Sequence, residues 1–311
     1  MDLRHFRYFS AVADEGSVSE AARNRLHTAQ PSLSRQLKDL ERELGVELFE
    51  RRVRGVVLTR AGRVFLSHVR RILRQVDDAV SAVRDAPLTI RVGIIPGLET
   101  FVLPDFMRLA RDHSGEVEIE VTSNASTALI QDLRDGELDL AFARPAETDL
   151  DLHFEPIGHS HVIAYLREDH PLAALEALTF NDLVGHTCIS VNRKVAPFLR
   201  GGIDAWGQQR GLALSPTHVA ADIASVFSLI LATNGVALMP DYAALLLPAS
   251  VIVRPLVDGP APLLLTIAYR PLGPSPTQRL IAAVARDWPR ATQEQETPAS
   301  QDAGASLATR K

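Results

Sequence analysis

The stretch Ser17–Leu44 reads SVSEAARNRLHTAQPSLSRQLKDLEREL and contains two signals for the start of a helix. Ser17 and Glu20 have the spacing of a capping box, in which each side chain satisfies a backbone N–H that a helix start leaves free. Thr28 is a second N-cap candidate. Pro31 follows it in the first turn, where proline loses no helical hydrogen bond. The stretch therefore predicts two helices joined by a tight turn, which is a helix-turn-helix.

The second of these helices has an apolar face and a polar face. Leucines at steps of four, three and four form the apolar stripe, which we expect to be buried: Leu33, Leu37, Leu40 and Leu44. Gln and Arg make bidentate contacts to base edges, and Lys and Ser hold phosphate, so the polar face suits the major groove of DNA. The residues predicted to contact DNA here are Thr28, Gln30, Pro31, Ser32, Ser34, Arg35 and Lys38. A solvated helix face is the alternative, and the flanking segments favour DNA.

A basic hairpin is predicted after this helix. Within Val46–Leu58, two short β-prone pieces flank a turn that contains Arg54 and Gly55. Such a hairpin is a wing, with Arg51, Arg52 and Arg54 near its tip. Arginine at this place follows the phosphate backbone or enters the minor groove, so these three residues are also predicted to bind DNA.

A long helix is predicted from Arg60 to Val83, with Thr59 as its cap. Its apolar residues alternate steps of four and three, the period of a two-stranded coiled coil: Phe65, Val69, Ile72, Val76, Ala79 and Val83. A helix of this length in a small domain needs a partner to be stable. We expect the same helix of a second subunit, which makes this segment a linker and a dimer seam. The alternative is that the helix packs on its own domain.

The composition is that of a globular protein with an uneven charge distribution. The 311 residues, of which 46% are hydrophobic and 23% charged, are enough for two or three domains. Residues 1–86 contain 16 Lys and Arg against 12 Asp and Glu, and the rest contains 17 against 26. The basic end is therefore the end with the helix-turn-helix, as attraction to phosphate requires.

The sequence also predicts the cellular compartment. Met1–His5 lacks the pattern of a signal peptide, and no apolar run approaches the about 20 residues of a membrane span, so we expect a cytoplasmic protein without membrane contact. The single cysteine, Cys188, excludes an intramolecular disulfide and a cysteine-cluster metal site. It lies in an apolar run, which favours a buried packing role over a redox role.

From Leu88 onward, apolar strands alternate with amphipathic helices, which predicts two α/β lobes with parallel sheets. Two strands that cross between the lobes would leave a hinged cleft, where ligands meet strand C-termini and helix N-termini. The predicted domains are 1–59 for the winged helix-turn-helix, 60–86 for the linker helix, 87–291 for the two-lobed domain, and 292–311 for a disordered tail. Lobe I is predicted at 87–161 and 268–291, and lobe II at 162–267.

With these residues in view, the chain resembles the LysR-type bacterial transcriptional regulators along nearly its whole length. The segments that carry the resemblance are Leu3–Phe9, Ala21–Ala22, Leu26–Ser34, Leu40–Glu41, Leu44–Gly45, Leu48–Arg51 and Leu58–Gly62. The resemblance implies an α plus α/β fold: a winged helix-turn-helix, a linker helix and a periplasmic-binding-protein-like effector domain. It also implies a homotetramer, built as a dimer of dimers, that binds promoter DNA. Transcription by RNA polymerase would change when a small effector enters the cleft.

The members that this chain most resembles respond to aromatic acids or their degradation products. The positions that match their effector contacts are Gly97, Ser126, Arg144, Phe198 and Asp222. Gly97 stands where that subgroup has serine, and Thr100 is expected to compensate for the lost hydroxyl. An arginine at a strand end in a cleft can neutralise a carboxylate, so an anionic effector is expected. The alternative is that Arg144 forms a salt bridge between the lobes with a carboxylate such as Asp222.

Other classes of protein explain less of the chain. No Gly-x-Ser-x-Gly, His-Glu-x-x-His or Gly-Lys-Ser motif is present, so we expect no enzyme, cofactor or metal. His159 and His161 lack a nearby third metal ligand. A binding protein of the periplasmic type without a transcriptional role would explain residues 88–290, and an architectural DNA-binding protein only the first 84 residues. A one-component regulator uses both parts.

Overall fold

The computed structural model describes residues 1–53, 55–84, 88–145, 151–271 and 275–289. The first part is a winged helix-turn-helix that continues into a long helix. Its elements are α1 (Leu3–Glu15), α2 (Val18–Glu20) with a π-helical continuation (Ala21–Arg25), α3 (Gln30–Leu44), β1 (Phe49–Arg52), β2 (Gly55–Leu58) and α4 (Arg60–Arg84). The fold class predicted from the sequence is confirmed for this part.

The helix starts agree with the prediction only in part. The Ser17 hydroxyl accepts the Glu20 backbone N–H at 3.3 Å, but the reciprocal half of the capping box is not formed. The prediction of Thr28 as an N-cap is wrong, because α3 begins after Ala29, whose side chain provides no cap. The Thr28 backbone N–H is used within the turn between the helices instead. The cap predicted for α4 is present, since the Thr59 hydroxyl accepts the Gly62 N–H at 2.9 Å.

The leucine stripe of α3 forms the centre of the first core. Leu33, Leu37 and Leu40 are buried, and Leu44 is half-buried at the rim. The stripe packs on α1, where Phe9 is fully buried. Each buried leucine contributes about 1.5–3 kcal/mol to burial energy. This apolar face therefore holds α3 with its opposite face toward solvent.

Helix α4 is divided between two environments. The Phe65 ring lies 5.1 Å from that of Phe9, and Val69 is fully buried. These two positions of the predicted seam belong to the core of their own domain, so the seam prediction is wrong for them. Heptad spacing places apolar residues on one face but does not say which partner covers it. The other seam positions are wholly or partly exposed: Ile72, Val76, Ala79 and Val83.

The second part of the chain forms two α/β lobes. Lobe I begins with β3 (Leu88–Ile94), α5 (Glu99–Ser114), β4 (Val117–Ser123), α6 (Ser126–Asp135), β5 (Leu140–Ala143) and β6 (His153–Ser160). Lobe II follows with β7 (Val162–Arg167), α7 (Phe180–Leu183), β8 (Cys188–Val191), α8 (Pro197–Gln208), β9 (His218–Ala220), α9 (Ile223–Thr233), β10 (Val236–Pro240) and β11 (Val251–Arg254). The chain returns to lobe I with β12 (Leu263–Tyr269) and α10 (Pro276–Asp287).

Both sheets are mixed, which corrects the prediction of purely parallel sheets. The strand orders are β4-β3-β5-β12-β6 in lobe I and β11-β7-β10-β8-β9 in lobe II. Strand β12 runs antiparallel to β5 and β6, and β7 runs antiparallel to β10 and β11. Strand β6 was not predicted, because Pro156 and Gly158 interrupt its pattern.

The predicted boundary of lobe II at residue 267 is also corrected. Strand β12 pairs with lobe I strands from Leu263 onward, so the chain has already left lobe II there. The tail predicted at 292–311 lies outside the described residues. Among the helices that the structure describes, none has the length and hydrophobicity needed to cross a bilayer.

Candidate functional site

The polar face of α3 is directed toward solvent. Most of the residues predicted to contact DNA are exposed there: Gln30, Pro31, Ser32, Arg35 and Lys38. Ser34 is half-buried on the same helix, and Thr28 is half-buried in the turn before it. The structure therefore brings these seven residues together on one side of the domain, at the start of α3.

The basic groups of this face are free to meet an outside partner. Arg35 and Lys38 have no hydrogen bond or ion pair within the described ranges, and Gln30 donates to the Ser34 hydroxyl at 3.3 Å. Arg42, further along the helix, is held by Asp39 at 2.8 Å. An uncompensated positive charge on an exposed helix start attracts phosphate.

The wing is held against the turn between α1 and α2 by backbone contacts. The Val56 N–H donates to the Gly16 carbonyl at 2.8 Å, and a Cβ on Gly55 would overlap that same carbonyl oxygen. Arg51 and Arg52 are exposed, and Arg52 pairs with Glu50 at 2.9 Å. Arg54, also predicted to bind DNA, lies outside the described residues.

A second candidate site is the cleft between the lobes. It encloses about 550 Å³, part of it open to solvent. The residues of lobe I that line it are Ile95, Pro96, Ser126 and Arg144. Those of lobe II are Val191, Val195, Ala196, Pro197, Phe198, Leu199, Asp222, Ile223, Met239, Pro240 and Tyr242. The lining is thus largely apolar with a few polar groups, which is typical of small-molecule sites.

Arg144 is the buried charged residue among those that line the cleft. Its side chain is only 6% exposed, and Nη2 donates to the Ser160 hydroxyl at 3.3 Å, while Nη1 has no hydrogen-bond partner among the described residues. Its backbone N–H donates to the Ser126 hydroxyl at 3.2 Å. Burial lowers the pKa of Arg144, and the neighbouring Tyr242 and Asp241 oppose this shift. Arginine stays charged at neutral pH, so the cleft contains a buried and incompletely satisfied cation.

The salt bridge weighed for Arg144 and Asp222 is not formed. Asp222 is exposed and caps α9, where its carboxylate accepts the Ser225 backbone N–H at 2.7 Å. This hydrogen bond lowers the pKa of Asp222. Asp222 and Phe198 nevertheless lie at the cleft, as expected.

Two of the six predicted effector residues are not part of the cleft lining. Gly97 has a φ of +87°, and a Cβ there would overlap the end of the Ile223 side chain. A serine at this position is therefore disfavoured by both backbone and space. Thr100 is exposed on the first turn of α5 and does not replace the missing hydroxyl within the cleft.

Sequence reasoning missed Tyr242, which lines the cleft and interacts with Arg144. It is buried, and burial raises its pKa while Arg144 opposes the shift. Its position just after β10 was a usable signal, because the ends of strands in α/β sheets form ligand sites. Nothing local to the sequence showed that this particular strand end would face Arg144.

The histidines and the cysteine considered in the sequence analysis do not form a metal or redox site among the described residues. His159 and His161 are both exposed, and His161 lies 3.4 Å from Asp241. Among the described residues, no three His, Cys, Asp or Glu side chains are grouped as a metal would need. Cys188 is half-buried in β8, and burial raises the pKa of its thiol.

Comparison with known proteins places both parts of the chain in one family. Residues 3–63 match the model of the bacterial regulatory helix-turn-helix protein, lysR family, and residues 86–290 match that of the LysR substrate binding domain. The Hca operon transcriptional activator HcaR of Escherichia coli is 32% identical over 92% of this chain and 98% of its own length. The regulator AlsR of Bacillus subtilis is 32% identical over 82% of this chain and 85% of its own length.

Solved structures share the same architecture. Full-length OxyR from Pseudomonas aeruginosa has a TM-score of 0.68 at 23% identity, covering 95% of this chain and 99% of that one. Full-length BenM has a TM-score of 0.55 at 28% identity, covering 92% of this chain and 96% of that one. The alternative of a binding protein without a transcriptional role is not supported, because the relatives span both parts of the chain and are transcriptional regulators. This chain belongs to the LysR family of bacterial transcriptional regulators.

Proposed function

We propose that the chain binds promoter DNA with α3 in the major groove and the wing along the backbone. The observation that supports this most is the exposed start of α3, where Arg35 and Lys38 have no partner within the described chain. Gln30 and Arg35 read base edges, while Lys38 and the wing residues Arg51 and Arg52 hold phosphates. Thr28, Pro31, Ser32 and Ser34 complete the contact, and Arg54 is included because it directly precedes β2 in the sequence.

Footprinting and titration of the full-length protein on its own promoter test this assignment. Arg35→Ala removes a base contact, so it should weaken binding to the specific promoter sequence by about 1–3 kcal/mol. Arg52→Ala removes a phosphate contact and weakens binding to all duplexes similarly. Arg111→Ala, on an exposed face of α5, is the matched control. A footprint and affinity unchanged in Arg35→Ala would contradict the placement of α3.

The second part of the proposal is that α4 pairs with α4 of another subunit. Its exposed apolar residues from Ile72 to Val83 form a stripe that no other part of the described chain covers. Pairing of two such stripes presents two copies of α3 to the two halves of a symmetric operator. A dimer of such dimers gives the tetramer that the family resemblance implies.

Truncation after Arg84 tests the pairing. We expect the shortened chain to sediment as a dimer that still binds DNA. Val76→Asp, which puts a charge into the stripe, should convert it to a monomer, whereas Gln75→Asp on an exposed neighbouring position should not. A truncated chain that sediments as a monomer would refute the seam.

The third part is that the cleft binds a small organic anion, with an aromatic acid as the favoured class. The buried guanidinium of Arg144, whose Nη1 has no hydrogen-bond partner within the described segments, supports a carboxylate, and the apolar lining supports a ring or a short hydrocarbon body. Phe198 and Asp222 contribute from lobe II and Ser126 from lobe I. Gly97 and Thr100 have no contact role in this assignment.

A matched pair of ligands tests the anionic class. Benzoate and benzamide have nearly the same shape, but only benzoate carries a charge. We expect small aromatic carboxylates to raise the melting temperature of the full-length protein and their amides to leave it unchanged, since binding to the folded state alone stabilises it. Equal shifts with the amides would contradict a role for charge.

The effector acts by changing the arrangement of the subunits. Closure of the lobes around the ligand alters how the effector domains pack, and thus the distance between two DNA-binding dimers and their contact with RNA polymerase. A ligand shifts this equilibrium only by its difference in affinity for the two arrangements. We infer that the protein acts in the cytoplasm, without catalysis, cofactor or metal. The mechanism is tested by measuring the affinity of the protein for two promoter sites with and without the effector.

A further inference from the structure

Glu41 joins α3 to the base of the wing. It is half-buried in the last turn of the helix, and its carboxylate oxygen Oε1 accepts the backbone N–H of Leu48 at 2.8 Å and that of Phe49 at 3.2 Å. Both amides lie where the wing begins, since β1 starts at Phe49. Hydrogen bonds to a carboxylate are charge-assisted and about twice as strong as those between neutral groups. The side chain of Glu41 is therefore a direct link between the helix and the wing.

The start of α4 holds the same segment from its other side. The Thr59 backbone N–H donates to the Leu48 carbonyl at 3.0 Å, and the Thr59 hydroxyl donates to the Glu47 carbonyl at 2.8 Å. A Cβ on Gly62, in the first turn of α4, would overlap the Leu48 carbonyl oxygen, so this close approach needs glycine. The Leu48 side chain is buried in the core of the domain. Leu48 is thus fixed by two helices, through its N–H by α3 and through its carbonyl by α4.

The wing depends on such contacts for its direction. It has four residue pairs, from Phe49 with Leu58 to Arg52 with Gly55. A hairpin of two strands is only marginally stable by itself. Arg52 lies three residues beyond Phe49, which is about 10 Å along an extended strand. A small rotation at the base of the wing therefore moves the Arg52 guanidinium away from a phosphate that it would otherwise meet.

We propose that Glu41 is a positioning residue for DNA binding, which sets the wing at a fixed angle to α3 so that both contact one duplex. The inference rests on the proposed function, since it needs Arg51 and Arg52 to hold phosphates. The carboxylate of Glu41 has the same sign of charge as DNA. Electrostatics alone therefore predicts that its removal strengthens binding, whereas loss of a positioning contact predicts that its removal weakens binding.

The salt dependence of promoter binding by the full-length protein tests the proposal. Each phosphate contact contributes about 0.9 to the slope of log affinity against log salt concentration. Glu41→Ala should lower the magnitude of this slope by about 1 to 2, because Arg51 and Arg52 no longer meet their phosphates. It should also weaken binding by about tenfold, since the wing must then be ordered on binding without a charged hydrogen bond. Glu41→Gln should restore the slope and most of the affinity, because its amide oxygen accepts from the same two N–H groups.

Glu43→Ala is the matched control, because it removes the same charge from an exposed position in the same turn of α3. It should bind as tightly as the unchanged protein or slightly more tightly, with the same slope. An unchanged slope in Glu41→Ala, or a Glu41→Gln as weak as Glu41→Ala, would overturn the proposal. Arg52→Ala should lower the slope by about 1. An unchanged slope in Arg52→Ala would instead refute the phosphate contact of the wing, which belongs to the proposed function.

Hydrogen exchange measured by mass spectrometry gives a result that does not depend on DNA. In the unchanged protein and in Glu43→Ala, the amides of Leu48 and Phe49 should exchange slowly, because each donates to the Glu41 carboxylate. In Glu41→Ala they should exchange at least about tenfold faster. Fast exchange of both amides in the unchanged protein would overturn the proposal, and this measurement decides the matter even where Glu41→Ala does not fold.

Discussion

Arg144→Met is expected to separate the stability of the effector domain from its response to ligand. Arg144 donates a long side-chain hydrogen bond to Ser160 at 3.3 Å and interacts with the buried Tyr242 side chain, while its Nη1 has no hydrogen-bond partner among the described residues. The bond contributes about 0.5–1.5 kcal/mol, while the unsatisfied donor costs about 1–3 kcal/mol. Methionine is a flexible apolar side chain that suits the apolar cleft lining. The free energy of unfolding should therefore stay the same or rise by about 1 kcal/mol.

The same substitution at Arg74 provides the contrast. Arg74 is also buried, but it pairs with Asp139, whose carboxylate is only 5% exposed. Removal of Arg74 takes the closest guanidinium away from this carboxylate, which keeps only the Arg91 backbone N–H at 2.9 Å and the Arg91 side chain at 3.8 Å. The loss of such a charged hydrogen bond costs about 1.5–3 kcal/mol. Urea unfolding, followed by circular dichroism, should thus rank Arg144→Met at or above the unchanged protein and Arg74→Met well below it.

The ligand response completes the test. Arg144→Met should lose the melting-temperature shift with aromatic carboxylates and lose induction of a reporter gene, while its affinity for the promoter stays the same. A destabilisation of Arg144→Met by more than about 1 kcal/mol would refute the view that this cation is uncompensated in the free protein. A normal ligand response in this variant would remove Arg144 from the effector site.

Two further predictions concern backbone strain and pH. Gly97→Ala should destabilise the effector domain by about 1–3 kcal/mol in urea unfolding, because φ is +87° and the new Cβ overlaps the Ile223 side chain. Ile223→Ala in the same chain should recover only the part of this loss that is due to overlap. An unchanged stability of Gly97→Ala would contradict the backbone conformation at this glycine. Burial lowers the pKa of His170 below its ordinary 6.5, so the unfolded chain binds a proton more readily than the folded one. The free energy of unfolding should therefore fall as the pH drops below about 6.5, by at most about 1.4 kcal/mol per pH unit. His170→Asn keeps an acceptor for the Leu172 N–H and should flatten this slope, and an equal slope in the variant would refute the assignment.

The DNA-binding part of the chain was largely predictable because its signals are local. The capping serine at Ser17, the leucine stripe of α3 and the glycine that begins β2 act through neighbours along the chain, and helix periodicity gives the buried face directly. The cap at Thr28 was predicted wrongly, because the turn that precedes α3 uses its backbone instead. The partner of α4 was beyond local reasoning, since Phe65 and Val69 are buried by helix α1 and not by a second subunit.

In the effector part, the sequence by itself determined the alternation of strands and helices and placed Arg144 at the end of a strand. The antiparallel course of β12, the close approach of Ile223 to Gly97 and the position of Tyr242 next to Arg144 were decided only by tertiary structure. The physical reason is distance along the chain. Helix caps and periodic faces depend on residues a few positions apart, whereas the charge balance of a cleft depends on which groups from remote segments the packed lobes bring within a few ångströms of each other.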